Sequence, residues 1–219
     1  MTELRIELLR ELLARLADGT IQIPEFQREP VVTDDWVISL IASVSLHYPI
    51  GAVMLLRAGS RDARFDARPV TGAQPGSEPE WFLVDGQRRL TVLYDVLTAG
   101  RGGRFHLDID KALDPMTDRD EAIGVGDGSP TGFPLTLTFG SPDDRRRWLD
   151  AAGVSRLERD VLAAFDEYAV PVIRLGSDTT RWTVRVHGGP HGRRLSDRFS
   201  RRARPGGRRV VPSPPDSDL

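Results

Sequence analysis

The sequence predicts a mixed α/β (α+β) fold, a small sheet flanked by helices. Three observations carry that reading. Amphipathic helical stripes and short buried apolar runs are interspersed along the chain rather than segregated. A length of 219 residues suits one domain with a real core plus a tail. The apolar pattern collapses near residue 180, which divides the chain into a domain over 1–178 and a basic tail over 179–219.

The elements follow in order. Leu4, Leu8, Leu12 and Leu16 recur every fourth residue, with Leu9 and Leu13 beside them, and predict a helix over 3–17 closed by Asp18-Gly19. Ile21-Gln22-Ile23 alternates as a short strand that Pro24 stops. Residues 34–47 read as a helix with Trp36, Leu40, Ile41 and Val44 on one side. Gly51 to Leu56 is a buried strand, and 58–80 a loop rich in small residues and proline. Trp81 to Val84 is a second buried strand. It runs straight into a helix on which Leu90, Leu93, Tyr94 and Leu97 share a face, ended by Gly100. Arg104 to Ile109 alternates as a strand, 112–132 reads as a loop, and Leu135 to Phe139 as a strand. Residues 142–151 and 154–167 read as helices. Ala169 to Leu175 is the final strand, and Pro171 places it at an edge or a bulge. The Arg-rich tail lacks apolar periodicity and is expected to be disordered and trimmed first by protease.

Composition removes several classes. There is no cysteine, hence no disulfide, thiolate metal site or cysteine nucleophile. No run of about 18 apolar residues could span a membrane, and the N-terminus has no apolar signal region, so a soluble, cytoplasmic protein is expected. Neither a Gly-x-x-x-x-Gly-Lys-Ser/Thr loop nor a Gly-x-Ser-x-Gly elbow occurs. The net charge of −2 hides a division: ten Arg against three Asp make residues 181–219 basic, and the remainder is acidic. The tail can touch nucleic acid phosphates or be inert. His187 and His191 are too few for a metal site.

The junction Val84-Asp85-Gly86-Gln87-Arg88-Arg89-Leu90 is the most informative stretch. A buried strand gives way to a helix whose first turn carries unpaired N–H groups and partial positive charge, a geometry that binds phosphate. Gly86 permits close approach of the backbone, and Arg88 and Arg89 supply charged donors. Asp85 can cap the helix, hold Mg²⁺ or orient a water. The ordinary alternative is a turn, an N-cap and two exposed arginines. Ile23-Pro24-Glu25-Phe26-Gln27-Arg28 puts a Gln-Arg pair just after a strand, and His47-Tyr48-Pro49-Ile50-Gly51 leads from a helix into a strand. Taken alone, each reads equally as a plain turn, and His47 as a surface histidine.

Together IPEFQR, Trp36 with LIASVSLHYPIG, FLVDGQRRLTVLYDVL and the later AVPVIRL resemble the N-terminal domain of GmrSD-type modification-dependent restriction proteins, a domain similar to the ParB and sulfiredoxin nucleotide-binding fold. The resemblance implies a domain that binds and commonly hydrolyses a nucleoside triphosphate (NTP, base unspecified), with Mg²⁺. It acts against foreign modified DNA together with a DNA-cleaving nuclease domain or subunit. By matched position, Asp85 and Gln87 become the catalytic candidates. Gln27, Arg28, Gly51, Gly86, Arg88 and Arg89 become the nucleotide-binding candidates, with Arg28 and Arg89 facing one cleft. Two departures stand out. Arg88 replaces the family's usual Gln, which makes the Arg-Arg pair closer to a ParB phosphate box and favours binding over hydrolysis. Thr180 to His187 also lacks the family's Phe-x-x-x-Asn-x-x-Gly segment, the pattern of a truncated or frameshifted member. The alternatives to an NTPase are therefore an NTP-responsive binding switch without turnover, or a degenerate remnant.

Overall fold

The computed structural model describes residues 2–27, 31–59, 66–73, 78–98, 104–126 and 132–176. Helices and mixed sheets alternate along them, an α+β architecture. The tail and Arg28 lie outside the described residues.

The main sheet has six strands in the order β1-β9-β3-β5-β2-β4. They are β1 (Glu3–Leu8), β2 (Ile21–Pro24), β3 (Val53–Arg57), β4 (Ala67–Arg68), β5 (Trp81–Asp85) and β9 (Ala169–Leu175). β9 lies parallel to β3 and β2 parallel to β5, while the other neighbours are antiparallel. A second antiparallel sheet, β7-β6-β8, is built from β6 (Phe105–Asp108), β7 (Ile123–Val125) and β8 (Gly132–Pro134).

Helix α1 (Leu9–Ala17) buries Leu9, Leu12, Leu13 and Leu16, one continuous stripe. α2 (Asp34–Ser45) buries Val37, Leu40, Ile41 and Val44, and α3 (Gln87–Leu97) buries Leu90, Leu93, Tyr94 and Leu97. With Leu55 and Leu83 from the sheet they form the main core. The opposite sheet face carries a smaller cluster of Leu56, Phe82 and Val84, with Phe26, Met54 and Leu175 against it. α4 (Ile109–Leu113) and α5 (Pro142–Ala152) cover the second sheet's side. α6 (Ser155–Leu157) passes through a π-helical turn (Glu158–Leu162) into α7 (Ala163–Asp166). Among the described residues no helix is long and apolar enough to cross a membrane.

Four expectations need correction. The predicted helix over 3–17 begins only at Leu9, because Glu3–Leu8 pairs with β9 through six consecutive residues. Leu4, Ile6 and Leu8 also alternate with period two, so tertiary pairing decides between two local patterns. Glu7 secures the strand by accepting from Arg15 at 3.1 Å and Arg174 at 3.0 Å, while Leu4 and Ile6 remain exposed. The expected strand over 135–139 is a 3-10 turn, Leu135–Leu137; the strand lies just before it, at β8. The expected loops over 58–80 and 112–132 contain β4, a 3-10 turn at Arg119–Ala122 and β7, and α4 runs into the second of them unannounced. Finally, β9 is an interior strand. Pro171 is tolerated there because pairing with β3 begins only at Val172, so one neighbour flanks the proline.

Candidate functional site

Strand β5 ends at Asp85, and Gly86 turns the chain into α3 with φ +87°. A side chain there would place Cβ 3.0 Å from Val53 Cγ2 and 3.4 Å from its Cα, so both the backbone angle and the close packing require glycine. No side chain caps α3, and no acidic residue stands in its first turn. The other described helices of nine residues or more differ. α1 carries Glu11; α2 has the Thr33 cap with Asp34 and Asp35; α5 has the Ser141 cap with Asp143 and Asp144.

Arg89, in the first turn of α3, binds the third motif. Its Nη1 donates to the Ile50 carbonyl and its Nη2 to the Ala52 carbonyl at 2.8 Å. Gly51 lies between them with φ +90°, and a Cβ there would stand 2.5 Å from Nη1. The glycine of the third motif therefore exists to admit the guanidinium of the second. Asp85 Oδ2 is 3.9 Å from Arg89 Nη2, and its side chain is 59% exposed. The first motif joins through Gln27, whose Nε2 donates to the Val84 carbonyl at 2.9 Å. Gln27 Oε1 is buried without a hydrogen-bond partner. Such an atom is costly unless a ligand or water supplies a donor.

The three motifs thus converge on one junction. Asp85, Gly86, Gln87, Arg88, Arg89, Gly51 and Gln27 are brought together; the expected partnership of Arg28 with Arg89 lies outside the described residues. Arg89 already has two carbonyl partners. Arg88 is exposed and lies over the Trp36 indole, 4.1 Å from the ring centroid.

Sequence reading missed two participants. Tyr168 donates to the Tyr48 carbonyl at 2.6 Å and accepts from the Ile50 N–H at 3.2 Å, pinning the loop that Arg89 holds from the other side. Burial pushes its hydroxyl pKa up, partly opposed by the Ile50 hydrogen bond and the Arg89 charge. No local signal marks it, since it stands 118 residues from its partner Ile50. Trp36 was visible as a helical residue and as part of the family resemblance but not as a site residue; its signal was an indole on a half-exposed position two residues inside a helix start. His47 is exposed, as expected, with its ring stacked 6.1 Å from that of Tyr168.

These features define a class: a mixed α/β domain with an uncapped, arginine-bearing strand-to-helix junction held by two flanking motifs. The chain belongs to the family described as the GmrSD restriction endonuclease, N-terminal domain, whose model matches residues 9–174. It is accordingly a component of a restriction system. No curated protein matches it.

Proposed function

We propose that the β5–α3 junction binds the polyphosphate of a nucleoside triphosphate, and that Asp85 and Gln87 serve its hydrolysis. One observation carries the reading. α3 starts with neither a side-chain cap nor an acid, and has two arginines where the helix dipole disfavours cations. An anion at this terminus resolves both features, and the orphaned Gln27 Oε1 offers an acceptor to a ligand hydroxyl beside it.

The donor set fits the group. Backbone N–H groups of the first turn would meet the phosphates, Arg88 would reach them from its place over the Trp36 indole, and Arg89 adds charge while fixing the Ile50–Ala52 loop. Among the described residues no three metal-ligating side chains cluster. Mg²⁺ would therefore be held by phosphate oxygens with Asp85, a single carboxylate being common for this ion. Asp85 is exposed enough to orient a water instead. Stabilising developing phosphoryl charge is the main chemical task. The structure's allocation of Arg89 to two carbonyls favours a second reading, an NTP-responsive switch without turnover that signals to DNA or a nuclease partner.

Calorimetry with each common NTP and Mg²⁺, beside a phosphate-release assay, tests both readings. Asp85→Asn should spare binding and abolish any release, because removing an anion does not disfavour a polyphosphate. Binding without release by the wild type selects the switch. Failure of a well-folded protein to bind any NTP overturns the proposal.

A further inference from the structure

Beside the junction lies a pocket of about 230 Å³ lined by Trp36, Ser39, Leu40, Ser43, Pro49, Ile50 and Arg89. Trp36, Ser39, Leu40 and Ser43 are the i, i+3, i+4 and i+7 positions of α2, so one helical face makes its floor. Arg89 forms the wall shared with the phosphate cradle. The space is smaller than the roughly 300–1,000 Å³ usual for whole drug-sized ligands. It suits one ring system rather than a complete triphosphate.

Its chemistry is specific. Trp36 gives an aromatic face, Leu40 and Pro49 give apolar contact, and among the described residues no carboxylate lines it. Ser39 and Ser43 give hydroxyls; Ser43 Oγ donates to the Ser39 carbonyl at 2.8 Å, which turns its lone pairs outward as acceptors. A neutral, flat heterocycle with a hydrogen-bonding edge is the complement of such a surface. At present the indole is covered by a cation, Arg88. A cation–π contact at an exposed position is weak, so Arg88 can be displaced by a better stacking partner.

We propose that this pocket is the nucleobase subsite of the junction: the base stacks on Trp36, and Arg88 leaves the indole to meet the phosphates. The inference rests on the nucleotide reading and deepens it. It also explains why an arginine is useful at position 88, since the same side chain covers the indole when the site is empty and neutralises phosphate when it is filled.

Two probes separate the base from the phosphates: a nucleoside triphosphate and inorganic tripolyphosphate, each titrated by calorimetry in Mg²⁺. Trp36→Ala should weaken NTP binding about tenfold, in line with the loss of one stacked base, and leave tripolyphosphate affinity unchanged. Ser43→Leu, which fills the pocket and keeps the indole in the chain, should reproduce that selective loss if Trp36→Ala fails to fold. Arg88→Gln should weaken both probes. Tryptophan fluorescence of the wild type should change with NTP, and the part of that change that tripolyphosphate does not reproduce should vanish in Trp36→Phe. Equal losses for both probes, or undiminished NTP binding in the pocket variants, overturn the subsite while leaving the phosphate reading intact. Failure of the wild type to bind either probe overturns both.

Discussion

Helices α3 and α5 begin with arginines in their first turns, and the two starts are built in opposite ways. At α5, Ser141 caps the helix, and Asp143 and Asp144 occupy the first turn. Arg145 is engaged through both terminal nitrogens, with Nη1 and Nη2 at 3.0 and 2.9 Å from the Asp166 carboxylate and Nη1 also on the Thr138 carbonyl at 3.1 Å, while its Nε is buried without a hydrogen-bond partner. Arg147 pairs with Asp144. The Arg145 and Arg147 charges at this terminus are answered by protein carboxylates. At α3 a glycine stands at the cap and no acid follows; among the described residues Arg88 meets only an indole face, and the nearest carboxylate to Arg89 is 3.9 Å away. An internally neutralised helix start is a structural part, whereas one left positive has room for an anion. The residue types alone, Asp and Arg beside a small cap residue, do not separate the two; the order of the acids relative to the first turn does.

The glycines at the two helices offer the largest effect. Gly86→Ala must adopt a left-handed backbone, worth about 1–2 kcal/mol, and press on Val53, which overpacking raises by about 1–3 kcal/mol. Gly153, which ends α5 at φ +67°, has open space around the position of a Cβ. Gly153→Ala should therefore lose only the conformational part, about 1–2 kcal/mol. Urea unfolding of both measures the difference, and equal losses would deny the close approach at the junction. Only Gly86→Ala should also lose triphosphate binding.

The arginines come next. Arg145→Ala should destabilise the fold by about 1.5–3 kcal/mol, the range for a hydrogen bond to a charged group, and leave triphosphate binding untouched. Arg88→Ala should do the reverse: a stability change of about 0.5–1 kcal/mol for the exposed cation–π contact, and clearly weakened binding. Melts and calorimetry on the same two proteins would expose any mixing of the roles.

A smaller effect concerns the loop that Arg89 and Tyr168 hold between them. Tyr168→Phe removes two hydrogen bonds at Tyr48 and Ile50 and should lose about 1 kcal/mol or slightly more near neutral pH. The raised pKa of Tyr168 gives this a pH signature. The unfolded chain ionises its tyrosines near pH 10, so above that pH the folded state holds more protons and stability falls as pH rises. The contribution is whole below about pH 10 and is lost through the higher folded value. The variant should show a shallower alkaline decline, with a remainder from Tyr94, whose pKa burial also raises. An unchanged alkaline slope would remove Tyr168 from this account.

What the sequence could and could not reveal follows the same division between local and distant causes. Strand β5, the turn at Gly86 and the stripe of α3 are local patterns, and they stand where the sequence puts them. The β9 bounds, Ala169–Leu175, also agree, because the run is apolar except for Arg174 near its end. Strand β1 was misread because Glu3–Leu8 satisfies two periodicities, and only the distant strand β9 selects between them. The site was legible as three motifs but not as a mechanism of assembly. Nothing in the spacing says that Arg89 fastens the loop at Gly51, that Gln27 reaches the Val84 carbonyl, or that Tyr168 pins Ile50. Those links join residues 37 to 118 positions apart, beyond the reach of any periodic pattern.

The smallest expected effect is the most discriminating, because it moves stability and binding in opposite directions. Gln87 is the first residue of α3. Gln87→Glu gives this helix what α5 already has, a carboxylate in the first turn, and the helix dipole should reward it by about 0.3–1 kcal/mol at low salt. Asp85 is exposed and repels the new charge only weakly through water, so the net change should remain stabilising. The same charge would stand where the phosphates are proposed to lie, and triphosphate affinity should fall. In α5 the mirror change, Asp144→Asn, removes a first-turn acid and the Arg147 pair; it should slightly lower stability and leave binding alone. Thermal melts at low and high salt, with tripolyphosphate titrations of each variant, complete the comparison. A Gln87→Glu protein that melts higher yet binds tripolyphosphate as tightly as the wild type would show that the phosphates sit elsewhere. The uncapped start of α3 would then be a tolerated flaw rather than a binding site.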